Sequence, residues 1–173
     1  MSTVPGDPAS LSACAGTVRR VSGELTLSAD GIRAAGDALG VQWQGRTSAR
    51  VRKRTETLAA ANDTTAQQLD RVGVVLQDHA SELADLVARA RMIDERAAAA
   101  GLEVREGRVI VAFGVTGTAD GQRASAQEAT RARLQGDLDL VLAQHRRRRD
   151  WVLEVLRESS IALEQVSHGL RQG

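Results

Sequence analysis

Apolar and polar positions recur along most of this chain with a period of seven. Leu11, Val18, Leu25, Ile32 and Leu39 form one column, and Cys14, Val21, Ser28 and Ala35 form a second, three residues behind each. Small and apolar residues at both heptad positions predict a helix with one narrow buried stripe. Asp7 followed by Pro8 supplies its start, as N-cap and first helical residue, and the residues before position 8 read as a flexible tail. Gly23, Gly31 and Gly36 weaken this helix by ~1 kcal/mol each relative to alanine, so it needs a surface to pack on.

The segment Gly40-Val41-Gln42-Trp43-Gln44-Gly45 interrupts the pattern. Gly40 suits the position just after a helix and Gly45 a tight turn, so residues 40–46 read as the bend of a hairpin. A long helix is predicted from about Thr47 to about Ala100. One of its columns is Val51, Leu58, Thr65, Val72, His79, Leu86 and Ile93; the other is Thr55, Asn62, Leu69, Leu76, Leu83, Ala90 and Ala97. Such a helix is about 80 Å long at 1.5 Å per residue. The first helix covers part of it, and the remaining stripe needs cover from the rest of the chain or from elsewhere.

Gly101 ends the long helix. Leu102–Arg105 and Arg108–Val111 alternate around Glu106-Gly107, a two-residue turn signal, and predict a small β-hairpin. Residues 114–121 form a connector. The last third carries two helical stripes, Leu134, Leu138, Val141 and Leu142, then Val152, Val155, Leu156, Leu163, Val166 and Leu170. Four arginines, Arg146 to Arg149, lie between them and point all around a helix, so either the helix breaks near Asp150 or the packing is locally open.

The expected fold is therefore all-α: an elongated antiparallel helical hairpin, four-helix-bundle-like, with a β-hairpin insertion near 102–111. Its expected parts are a tail over 1–7, a helical hairpin over 8–100, the β-hairpin and connector over 101–121, and C-terminal helices over 122–173. Those helices would pack on the hairpin or on a partner.

Composition narrows the function classes. The chain of 173 residues is 42% hydrophobic and 26% charged with a formal net charge of +1. That is too apolar for a disordered chain and too balanced for a general nucleic-acid binder. It has no tyrosine, one phenylalanine (Phe113) and two tryptophans (Trp43 and Trp151), too few rings for a base-stacking surface. A single cysteine excludes an internal disulfide, and Cys14 reads as a small filler in a helix seam. No apolar run is long enough to span a bilayer. The first ~30 residues lack the basic, apolar and small-residue blocks of a Sec-type signal peptide.

Trp43-Gln44-Gly45 is the sharpest local feature. A tryptophan in a hairpin bend can lay its ring over the ends of both helices, while glycine lets the chain reverse. The bland reading is that Trp43 plugs the open end of a bundle. As a bare tripeptide the signal is weak; its place between two heptad-patterned helices, ~40 residues from the start, gives it weight.

That arrangement resembles the WXG family, the Trp-x-Gly helical hairpins exported by type VII (ESX-type) secretion in actinobacteria and firmicutes. The resemblance covers residues 8 to about 100, with Trp43 and Gly45 on the family's Trp and Gly. It is closer to the longer actinobacterial members, whose second helix runs on into a short hairpin and further helices, and which often serve as N-terminal export domains of polymorphic toxins. The resemblance implies pairing with a helical protein, as homodimer or heterodimer, into a four-helix bundle, with docking on the type VII secretion ATPase. The chain would be cytoplasmic before export and secreted or cell-surface afterwards, by a signal-peptide-independent route. One departure stands out: the family's export signal adds a Tyr-x-x-x-Asp/Glu motif, and a chain without tyrosine leaves that half to a partner.

Trp43 and Gly45 are thus the candidate export and docking motif. The candidate partner-binding stripe is Leu11, Val18, Leu25, Ile32, Leu39, Val72, Leu76, Leu83, Leu86 and Ile93. The basic stretch Arg46, Arg50, Arg52, Lys53 and Arg54 reads either as a solvated face or as a docking surface for an acidic partner; its cations oppose the helix dipole. The run Arg146–Arg149 invites a nucleic-acid reading, which near-neutral charge and missing aromatics disfavour.

For chemistry there is little. His79 lies on a buried column, where histidines bond across seams; neither it nor His145 or His168 has a Cys or His at metal-ligand spacing. Cys14 has no basic activator nearby, and Ser159-Ser160 lacks a nucleophile-elbow context. The sequence reads as a non-enzymatic protein with no cofactor, no metal and no small-molecule substrate. It would act through helix–helix binding as exported cargo, toxin export domain, or cargo partner or chaperone that stays behind. The rival reading is a cytosolic, self-associating coiled-coil scaffold with no secretion role.

Overall fold

A computed structural model describes residues 3–42, 45–112 and 121–172. Among these the chain is dominated by three helices, α1 (Pro8–Gln42), α2 (Arg46–Ala99) and α3 (Gly121–Gln172). One two-stranded antiparallel sheet, β1 (Leu102–Arg105) and β2 (Arg108–Val111), sits between α2 and α3 in sequence. The all-α expectation with a small β insertion agrees with this, and the connector expected over 114–121 lies almost wholly outside the described residues.

α1 begins at Pro8, directly after Asp7, as the capping pattern predicts. It then runs through Gly40 to Gln42, so the bend is shorter than the expected 40–46. A glycine weakens a helix without terminating it. Gly45 holds φ at 127° and its carbonyl accepts from Ala49 N at 3.1 Å, closing the first turn of α2. Only Gly takes that backbone without strain.

The chain forms two compact units, and α2 and α3 each contribute to both. One unit comprises Ala9–Asp78 and Val152–Gly173. Here Ser12 meets Gln77, Arg19 meets Asp70, Ser22 meets Ala66 and Arg33 meets Asp63, pairs that run in opposite sequence order. α1 is therefore antiparallel to this stretch of α2. Ala15, Val75, Leu76, Val152 and Val155 form the core shared by all three helices, with Leu11, Val72 and Leu156 packed against it.

The seam of α1 differs from the expected one. Cys14 is exposed, and Ser28 and Ala35 are exposed with it; the fully covered column is Ala15, Ser22, Ala29 and Gly36. α2 answers with a column of the same kind: Ala59, Ala66, Gly73 and Ala80 are all buried. Two small-residue columns let the backbones approach closely. A Cβ on Gly73 would lie 2.3 Å from Arg19 Cγ and 3.3 Å from the Ala15 carbonyl oxygen, and one on Gly36 would lie 2.9 Å from Thr55 Oγ1.

The other unit comprises Met1–Pro8 and His79–Trp151. Leu83, Leu86, Ala90, Ile93 and Ala97 of α2 and Leu134, Leu138 and Val141 of α3 are buried here. Residues 3–7, read from the sequence as a tail, are anchored at Thr3, Val4 and Gly6, while Pro5 and Asp7 are exposed. Val4 is fully buried, Thr3 Oγ1 donates to the Asp94 carboxylate at 3.2 Å, and Gly6, at φ 120°, lies so close to Leu83 that a Cβ would sit 2.9 Å from Cδ2. Thr3 and Gly6 thus lie against Asp94 and Leu83 of α2.

α2 ends at Ala99, and Gly101 follows at φ 69°. The β-hairpin pairs Leu102 with Val111 and Arg105 with Arg108. Glu106 and Gly107 both hold positive φ, 52° and 77°, the two-residue turn their sequence signals. The strands bury Leu102 and Val109. An isolated hairpin is marginal, and this one is held by amides of α3. Gln135 Oε1 accepts from Val109 N at 2.7 Å, its Nε2 donates to Gly107 O at 3.2 Å, and Gln127 Nε2 donates to Ala100 O at 3.1 Å.

α3 is one unbroken helix through Arg146–Arg149, so the break near Asp150 does not occur. Arg146, Arg147 and Arg149 are exposed, and Arg148 alone turns inward.

Candidate functional site

The export and docking motif expected from the sequence is described at Gly45 alone; Trp43 lies outside the described residues. Of the ten positions expected to face a partner, Leu76, Leu83, Leu86 and Ile93 are buried by this chain's own elements. Leu11, Val18, Leu25, Ile32 and Val72 are half-buried, and Leu39 is exposed. Four of the ten are thus closed within the fold. Other large apolar side chains stand in solvent instead, led by Leu27 on α1 (73% exposed) and Leu140 on α3 (69% exposed).

The start of α2 concentrates cations: Arg46, Arg50, Arg52, Lys53 and Arg54 fall within nine residues. Four arginines elsewhere find acids across helices: Arg19 Nε lies 3.5 Å from Asp70, Arg71 Nη2 lies 2.8 Å from Glu158, Arg148 Nε lies 3.0 Å from Glu82, and Arg33 pairs with Asp63. Among the described residues none of Arg46, Arg50, Arg52, Lys53 and Arg54 forms an ion pair, and the first turn of α2 holds no acid. Cations at the positive end of a helix dipole cost about 0.3–1 kcal/mol within that first turn. Beside them is a groove of about 610 Å³, lined by Arg50, Val51, Lys53, Arg54, Thr57 and Leu58 of α2 and by Gly169 and Leu170 of α3. Sequence reasoning found the cations; the apolar floor went unseen because Leu170 is more than a hundred residues from Val51 and Leu58.

The other polar concentration lies inside the unit containing the β-hairpin. His79 on α2 and His145 on α3 are both buried. Arg148 Nε is 3.0 Å from Glu82 Oε2, an ion pair off hydrogen-bond alignment, and its guanidinium carbon stands 4.2 Å from the Trp151 ring centroid. The expectation that His79 bonds across the seam fails at one nitrogen: its Nδ1 is buried without a partner among the described residues. Burial holds His79 below the usual histidine range, and the charges of Arg148 and His145 push the same way against Glu82. Among the described residues no group of three His, Cys, Asp or Glu side chains is placed to hold a metal ion. Ser159 is buried with its Oγ unpartnered among the described residues, and His168 is exposed beside Gln172.

No helix among the described residues is long and apolar enough to cross a membrane. Comparison of the chain with protein-family models, with curated proteins and with solved structures gave no match in any of the three.

Proposed function

We propose that this chain is a type VII secretion-associated protein that acts by binding other helical proteins, as exported cargo, toxin export domain or cargo partner, and not as an enzyme. The single observation that carries the reading is the antiparallel pair α1–α2, joined across Trp43-Gln44-Gly45 with Gly45 at φ 127°. This pair is the helical hairpin of the proposal, and the Trp-x-Gly bend is its docking tip. The long second helix running into a β-hairpin and a further helix supports the likeness to the longer members of the WXG family.

The deciding experiment compares culture filtrates of the native host with its type VII ATPase intact and disabled. Loss from the filtrate on disabling the ATPase, with normal cytosolic levels, supports export. Retention in the cytosol of both strains, with a sound lysis control, defeats it and leaves the self-associating scaffold, for which exposed Leu27 and Leu140 would be the contact points.

A further inference from the structure

Between residues 46 and 58 α2 carries five cations and one acid, Glu56, whereas the whole chain has a formal net charge of +1. The cations are not spread evenly around the helix. At a hundred degrees per residue, Arg50, Lys53 and Arg54 share a face with Arg46 and Thr57, and Val51 and Leu58 lie along one edge of it. The groove follows that edge. Its basic wall belongs to α2, its floor is Val51, Leu58 and Leu170, and Gly169 leaves the α3 side low. Leu58 and Leu170 are each 41% exposed. A volume of about 610 Å³ lies within the range of clefts that take ligands.

We infer that this groove binds an acidic amphipathic helix of a partner protein, apolar residues on its floor and Asp or Glu side chains along the Arg50–Lys53–Arg54 wall. Charge complementarity selects the occupant. The wall cations form no ion pair with an acid of this chain among the described residues, whereas Arg19, Arg33, Arg71 and Arg148 each do so across helices. The floor spans Val51 to Leu58, two helical turns, which two or three anchors at i, i+3/i+4 and i+7 would fill. A concave floor with its charge on one wall suits a rod-shaped segment. An anionic bilayer would instead favour an apolar ridge flanked by cations on both sides.

The inference names a partner class for the protein-binding reading and rests on that premise alone; it does not require export. It is tested on the full chain with a labelled helical peptide of about 15 residues, leucines on one face and glutamates along one flank. The controls are the same residues scrambled and a lysine-for-glutamate version. Saturable binding of the first peptide alone, weakening as salt rises, is expected. The triple variant Arg50→Glu/Lys53→Glu/Arg54→Glu should raise Kd by about tenfold or more, with unchanged far-UV circular dichroism. Arg50→Gln/Arg54→Gln, a milder pair, should weaken binding in the same direction if the reversal disturbs folding. Leu58→Ser should weaken it without altering the salt dependence. Absence of saturable binding, or binding indifferent to these variants, overturns the inference. So does retention on phosphatidylserine–phosphatidylcholine vesicles that the peptide does not compete. None of these outcomes touches the filtrate experiment, and a negative filtrate leaves the groove result standing.

Discussion

Ser22 Oγ of α1 donates a 2.7 Å hydrogen bond to the backbone carbonyl of Ala66 in α2. A serine hydroxyl reaches the backbone of a neighbouring helix only when that surface is nearly bare of side chains. The flanking pairs explain why it is: the register that puts 22 on 66 also puts Ala15 on Gly73 and Ala29 opposite Ala59. This seam is held by close backbone approach instead of interlocking leucines.

Enlarging the seam should therefore cost more than removing its polar bond. Ser22→Leu is expected to destabilise the chain by about 1–3 kcal/mol through overpacking. Ser22→Ala should lose about 0.5–1.5 kcal/mol. Urea midpoints of the three proteins check the order, and a Ser22→Leu variant as stable as the parent would sink the close-seam account.

Two glycine substitutions on the same pair of helices should have opposite signs. Gly31 has open space where a Cβ would go, so Gly31→Ala should gain ~0.5–1 kcal/mol of helix propensity. At Gly73 the new Cβ meets Arg19 and the Ala15 carbonyl. Overpacking of about 1–3 kcal/mol then outweighs the gain. Thermal midpoints decide, and equal stabilisation by both would contradict the contact at Gly73.

Stability should fall on acidification through His79. Its folded-state pKa is lowered, first by burial, then by Arg148 and His145, against Glu82. The unfolded chain thus takes up a proton more readily than the folded one. The contribution is complete above the ordinary value of 6.5 and is lost as the pH drops below it through the folded value. Denaturation near pH 7.5 and near pH 5 should differ less in His79→Leu than in the parent chain; an identical pH slope in both would show that His79 is not the group responsible.

Gln135→Ala should loosen the β-hairpin without unfolding the helices. It removes the acceptor of Val109 N and the donor to Gly107 O at once. Leaving a partly buried amide unpaired costs about 1–3 kcal/mol. Amide exchange at Val109 should accelerate while the α2 core keeps its protection, and unchanged exchange there would mean that the side chain merely lies alongside.

Trp43→Ala bears on the functional proposal. If Trp43 belongs to a docking tip, far-UV helicity should stay largely intact while export falls. A variant that unfolds would make the residue structural, and one exported normally would remove it from the motif.

The start of α1, the extent of α2, the β-hairpin with its Glu106-Gly107 turn, and the buried columns from Leu76 to Ala97 could be read in the sequence by itself. Each is set by local chemistry: proline at a helix start, glycine after a helix end, positive φ in a two-residue turn, and leucine or alanine at heptad spacing. Tertiary structure alone decided that Ala15 and Ser22 are covered while Cys14 is exposed. A small residue is buried by how near its neighbour comes, and that distance depends on a second column of small residues some forty positions away. The same holds for Val4, fully buried in a segment whose sequence reads as a tail. Arg148 turns inward on an unbroken α3 because Glu82 and Trp151 receive it. Helical periodicity shows which residues share a face; only packing shows which face is closed, and against what.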